Sequence, residues 1–144
     1  MGVLSIHLRT YAHATESREK VVKALMELLP EDLRSSVSPS IEVYEGYYGN
    51  PIEVITVDVN DPRLTTRILE YIVSRLSDMD RRRLLATLED RVDRNGDLYL
   101  RFNKQEAFRG SIALEEGDDV VRVHVRFSGG RREALKYYGS ILSK

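Results

Sequence analysis

Three segments of this chain alternate apolar and polar residues with a period of two, and this alternation constrains the fold more than any other feature of the sequence. From Val3 to Tyr11, Leu4, Ile6 and Leu8 face one way while Ser5, His7, Arg9 and Tyr11 face the other. Leu98, Leu100 and Phe102 alternate with Tyr99 and Arg101, and the run Val120 to Phe127 sets Arg122, His124 and Arg126 apart from its valines. Such a pattern marks half-buried strands. Strands that are apolar on one side only belong in an antiparallel sheet with one face covered and the other solvated or closed by a partner.

The remaining elements fit that frame. Thr15 is an N-cap for a helix from Glu16 to Leu29, with Val21, Leu25 and Leu28 at helical spacing and Pro30 as its stop. Ile41–Tyr44 and Ile52–Val59 read as two strands joined by EGYYGNP into a hairpin. Asp61-Pro62 supplies a cap followed by a first-turn proline, and Leu64, Ile68, Tyr71, Ile72 and Leu76 form an amphipathic stripe. Ser77-Asp78 breaks that helix, and a shorter one follows with Met79, Leu84, Leu88 and Val92. Asp93-Arg94-Asn95-Gly96-Asp97 is a turn, and Ser111–Leu114 with Val120–Phe127 reads as a hairpin around Glu116-Gly117-Asp118. Ser128-Gly129-Gly130 leads into a final helix carrying Leu135, Tyr138 and Leu142. The expectation is a single α+β domain over residues 1–144, a largely antiparallel sheet with helices packed on one face.

With 42% hydrophobic residues in 144, the chain can build a real core. Its net charge of -1 gives no bulk attraction to nucleic acid, so any basic site must be local. The C-terminal third is the net positive part. There are no cysteines, which excludes disulfides and thiolate chemistry. No apolar run is long enough to span a membrane and no signal-peptide core is present, so no membrane partner and a cytoplasmic location are expected. The excess of Arg over Lys, 17 to 5, with one Gln and four Asn, is in keeping with a thermophile. Nothing points to an enzyme, a cofactor or a metal: there is no phosphate loop, nucleophile elbow or zinc-protease motif. His7 and His13, about 20 Å apart along one strand, are too far apart for one ion.

The outward positions of the three strands are His7, Arg9, Tyr11, Tyr99, Arg101, Arg122, His124 and Arg126, with no acid among them. Arg offers a planar donor fork for phosphate and a flat surface for bases, and Tyr offers a ring, the combination used to read single-stranded RNA. The bland alternatives are a solubilising surface and a face covered by the final helix. Next to it lies a corner, Asn103–Gly110. Asn103 caps a short turn from Lys104 to Phe108, which Gly110 ends, and Lys104, Gln105 and Arg109 lie within it. Lys104 there either meets a phosphate or points into water beside Glu106. Tyr47 and Tyr48, between two loop glycines, either stack on bases or fold back as a lid. The run Arg81-Arg82-Arg83 spreads around a solvated helix and is not taken as a site.

The segments HLRTYAHATESREKVVKAL, EGYYGNP and LYLRFNKQEAFRG, in that order, resemble an archaeal family of small predicted RNA-binding proteins, also described as predicted exosome subunits. The resemblance implies a fold similar to the large-subunit ribosomal protein that binds 5S rRNA. It places the family's motif positions on Thr15, Glu16, Gly46, Gly49, Asn50, Arg101, Lys104, Gln105 and Gly110. Tyr47 stands where the family commonly carries His, which argues against proton or metal chemistry in that loop and leaves stacking intact. The expected function is therefore non-enzymatic RNA binding, linked to RNA processing by the exosome or to ribosome assembly. Its expected contacts are Arg9, Tyr47, Tyr48, Tyr99, Arg101, Lys104, Gln105, Arg109, Arg122 and Arg126. The alternative is a module that docks an acidic protein partner or forms a homodimer without binding nucleic acid.

Overall fold

A computed structural model describes residues 2–46 and 48–144. Five strands, β1 (Gly2–Ala12), β2 (Ser40–Glu45), β3 (Pro51–Val59), β4 (Leu98–Asn103) and β5 (Val120–Ser128), form one sheet in the order β2-β3-β1-β5-β4. Every neighbouring pair is antiparallel. The helices are α1 (Arg18–Met26), α2 (Glu31–Arg34), α3 (Pro62–Arg75), α4 (Asp78–Ala86), α5 (Leu88–Arg91), α6 (Lys104–Phe108) and α7 (Gly130–Leu142). The α+β class read from the periodicities is the class observed, and no described helix is long and apolar enough to cross a membrane.

The core lies on one side of the sheet. Ile6 and Leu8 of β1, Ile55 and Val57 of β3, Leu100 and Phe102 of β4, and Val123 and Val125 of β5 are all buried. They pack against Leu25 of α1, Ile68, Leu69 and Ile72 of α3, and Tyr138 of α7. Helix α7 is on this side too: Tyr138 is fully buried, its ring 5.6 Å from that of Phe127. Its hydroxyl donates to the Gly96 carbonyl at 2.9 Å, tying the helix to the 93–97 turn. The final helix therefore does not cover the opposite face.

Local chemistry sets the helix ends. Asp61 accepts from the Arg63 N–H at 3.0 Å, ahead of the first-turn Pro62. Helix α1 begins two residues later than its sequence suggests, capped by Ser17 and not by Thr15. The reason is Glu16, whose carboxylate accepts from the His13 N–H at 3.0 Å and so holds a turn ahead of the helix. The same helix ends at Met26, because Leu28 and Leu29 donate three residues back, to Leu25 and Met26, in a tighter turn that keeps both side chains buried.

Two strand expectations need correction. A register shift between Val3 and Ser5 turns Leu4 outward, 42% exposed, and gives its inward place to Val3. The segment Ser111–Leu114 is not a strand. β5 already has β1 on one edge and β4 on the other, so no edge is left for a hairpin partner. The segment instead bridges the end of β4 through Leu114 and Phe102, and buries Ile112 and Leu114.

Candidate nucleic-acid interface

The uncovered face of the sheet is concave, enclosing about 750 Å³ between β2 and β4. The strand register decides what meets what on it. Arg9 of β1 is the direct partner of Arg122 of β5, and Arg122 is the direct partner of Arg101 of β4. Three guanidinium side chains thus stand in one row across three adjacent strands. Side chains directly opposite in an antiparallel pair have Cβ atoms about 4.5–5.5 Å apart, and like charges there are destabilising. Among the described residues, Arg9 and Arg122 have no ion pair to offset this; Arg101 is held by the Gly117 carbonyl and by Asp118 at 3.3 Å. The Arg101 Nε is buried and has no hydrogen-bond partner among the described residues. Arg126, exposed two residues beyond His124, extends the same face.

A second row runs beside the first, one pleat repeat along the strands. His7 pairs with His124, and His124 with Tyr99. The two imidazole rings are 5.6 Å apart, and Tyr99 stacks on His124 at 4.6 Å with planes 9° apart. Carboxylates anchor each member: His7 bonds Asp58 at 2.6 Å, His124 bonds Asp97 at 3.0 Å, and the Tyr99 hydroxyl donates to Asp93 at 3.0 Å. Partial burial, then the bond to Asp93, raises the pKa of Tyr99 above that of a free phenol. Burial pushes that of Asp93 upward, but the backbone N–H groups of its own turn and the Tyr99 hydroxyl outweigh it and hold the carboxyl low.

The face is therefore not free of acids, as the three alternating segments alone imply. β2 and β3 belong to the same sheet and bring Glu42 and Asp58 onto it, while the 93–97 turn brings Asp93 and Asp97 to its edge. Each is engaged by a neighbour, Glu42 by the Tyr44 hydroxyl at 2.5 Å. Nor does the sequence show that His7 and His124, both outward positions, meet, because they come together only through the β1–β5 register. Ser5, His7 and Asp58 have the connectivity of a nucleophile, a base and an orienting acid, with Ser5 Oγ 3.1 Å from the ring. Ser5 is only 3% exposed, however, so the arrangement fixes the imidazole and presents no nucleophile.

The corner residues divide differently. Asn103 caps α6 as expected, accepting from the Glu106 N–H at 2.8 Å, and Gly110 follows with a left-handed φ of 94°. Lys104 meets neither solvent nor an open anion site: it is 3% exposed. Its ammonium donates to the Tyr11 carbonyl at 2.8 Å and to Glu16 at 3.0 Å, and lies 2.8 Å from Asp119. Those acceptors take up its donor capacity. Burial would raise the Asp119 carboxyl, but bonds from Lys104 and Gln105 overcome this and lower it. The pieces TE and NKQ, far apart in sequence, thus form one lock between the end of β1, the start of α1 and α6.

Gln105 donates to Asp119 at 3.1 Å, and Arg109 pairs with Glu106 at 3.0 Å on α6, which packs against α1 on the helix side. Neither lies in the arginine row. Tyr48 is 87% exposed and lines a small hollow with His13 and Thr15 at the end of β1. Tyr47 lies outside the described residues. Gly46 is required in that loop, since a Cβ there would sit 2.7 Å from the Asn50 carbonyl. Among the described residues no group of three or more His, Asp or Glu is placed to hold a metal.

Known proteins share this arrangement of elements. Protein AF2318 of Archaeglobus fulgidus, of the family DUF54, superposes with a TM-score of 0.82 at 26% identity, covering 96% of this chain and 99% of that one. Mth689 of Methanothermobacter thermautotrophicus, also a DUF54 protein, gives 0.80 at 29% identity, covering 97% and 98%. In sequence, the chain is similar to RNA-binding protein PAB1135 of Pyrococcus abyssi, 39% identical over 123 residues, which is 85% of this chain and 80% of that protein. Residues 5–127 match the family described as RNA binding, and the chain belongs to that family.

Proposed function

We propose that the protein binds RNA without acting on it chemically, and that the open face of the sheet is where it does so. One observation carries the reading: Arg9, Arg122 and Arg101 stand side by side across three strands, and the first two have no anionic partner among the described residues. A fold that sets like charges opposite one another accepts a cost, and a polyanion lying along the row removes it. Arg126 stands on the same face beyond the ring row, and Tyr99 supplies a ring at the border of the arginine row. Tyr47 and Tyr48 would add stacking from the 46–50 loop, and Gln105 and Arg109 would reach only RNA that wraps past the end of β1. Lys104 serves best as the lock that holds this end together. The cellular setting proposed is RNA processing with the exosome, or ribosome assembly.

The test is fluorescence anisotropy with a labelled RNA across a salt series. Affinity should fall steeply with salt, because each neutralised phosphate releases counterions. The double substitution Arg9→Glu, Arg122→Glu should abolish binding, and absence of any association by the wild type at low salt would sink the reading.

A second reading, a protein-interaction or dimerisation module, is favoured by β2. All six of its residues are exposed, with Ile41 38% and Val43 63% exposed on an edge strand. Sedimentation velocity showing a dimer that Val43→Lys dissolves would support it.

A further inference from the structure

The open face holds two parallel rows that differ in chemistry. The first, Arg9–Arg122–Arg101, is cationic and spans about 10 Å at the usual strand spacing. The second, His7–His124–Tyr99, lies about 7 Å away along the strands and consists of rings. Within it Tyr99 and His124 form a stacked plate, and Tyr99 is 46% exposed on the edge strand. Both rows cross the strands in the same direction. A nucleic acid whose phosphates follow the first row can place its sugars and bases over the second.

Strandedness then decides whether the second row has anything to meet. In a duplex the bases are stacked and paired inside, and a protein reaches phosphates, hydroxyls and groove edges but no base face. In an unpaired segment the base face is available to a ring. The carboxylates bound to the ring row add a preference of the same kind, since Asp58 and Asp93 border it and can accept from the exocyclic amino groups that pairing would occupy.

Building on the RNA-binding reading above, we infer that the face takes single-stranded RNA running perpendicular to the β-strands, with successive phosphates on Arg9, Arg122 and Arg101 and an unpaired base on the Tyr99–His124 plate. The strand leaves the protein over the β4 edge, where Tyr99 is exposed.

The experiment compares a labelled single-stranded RNA decamer with a blunt duplex containing the same strand, at equal salt, for the wild type, Tyr99→Ala and Tyr99→Phe, each checked for folding by circular dichroism. The single strand should bind at least tenfold more tightly than the duplex. Tyr99→Ala should lose about tenfold on the single strand and little on the duplex, and Tyr99→Phe, which keeps the ring, should recover most of that loss. A duplex bound as tightly as the single strand, or a Tyr99→Ala loss equal on both, overturns the inference while leaving RNA binding intact. Binding to neither overturns both.

Discussion

Arg9 and Arg122 are direct partners across the β1–β5 ladder, two like charges placed where a sheet ordinarily places opposite ones. The relationship separates a ligand site from a solubilising surface. If the pair exists to hold an anion, removing one member should relieve repulsion in the free protein. Arg122→Gln is expected to raise unfolding free energy by about 0.2–1 kcal/mol, measured by urea denaturation at low salt, while weakening RNA. A loss of stability instead would mean that the two arginines are supported by contacts of their own.

Glu16 and Lys104, brought together at 3.0 Å, predict the opposite behaviour. Lys104 is buried and Glu16 half-buried, and removing one partner of such a pair strands the other. Lys104→Met should cost about 2–4 kcal/mol, with the Tyr11 carbonyl left unpaired. RNA affinity per folded molecule should change little, which distinguishes a lock from a contact. A normal melting curve combined with lost binding would return Lys104 to the ligand.

Acid should weaken the same lock. The folded pKa of Asp119 is lowered, so the unfolded chain takes up its proton first as the pH drops. Its contribution is present above the unfolded value of about 3.9 and is lost as the pH falls through the lower folded value. Thermal melts from pH 6 downward should show the wild type losing stability below about pH 4, and Asp119→Asn should flatten that part of the profile. An unchanged profile in the variant would assign the acid transition to other carboxylates, Asp93 first among them.

Gly96 has φ of 93°, and a Cβ built there would lie 2.8 Å from the Gly130 carbonyl. Gly96→Ala must therefore strain the backbone and push the turn away from α7. A loss of about 1–3 kcal/mol is expected by chemical denaturation. A neutral result would show that the turn and the helix start can separate freely.

The sequence makes the sheet legible because its strands are half-buried: the period of two identifies β1, β4 and β5 and, apart from Leu4 at the register shift, the outward side of each. It misplaced Ser111–Leu114 because apolar alternation reports burial, and Ile112 and Leu114 are buried without being paired in a ladder. The sequence names the arginines of the open face, but not their alignment in one row, which is a property of register between strands far apart in the chain. Glu42, Asp58 and the His7–His124 contact reach this face through register too, and the sequence alone does not show them there. The burial of Lys104 is not legible in the sequence, because a lysine at a helix start reads as exposed until its partners are known, and Glu16 and Asp119 arrive from elsewhere in the chain.

The bond from Tyr138 to the Gly96 carbonyl has a consequence for the far side of the molecule. Gly96 sits between Asp93 and Asp97, and those two acids hold Tyr99 and His124. The C-terminal helix thus grips, through a single turn, the plate on the opposite surface. Occupancy of that plate should be felt as slower amide exchange in a helix that no ligand touches, and loosening the helix should blur the plate before it disturbs the arginines.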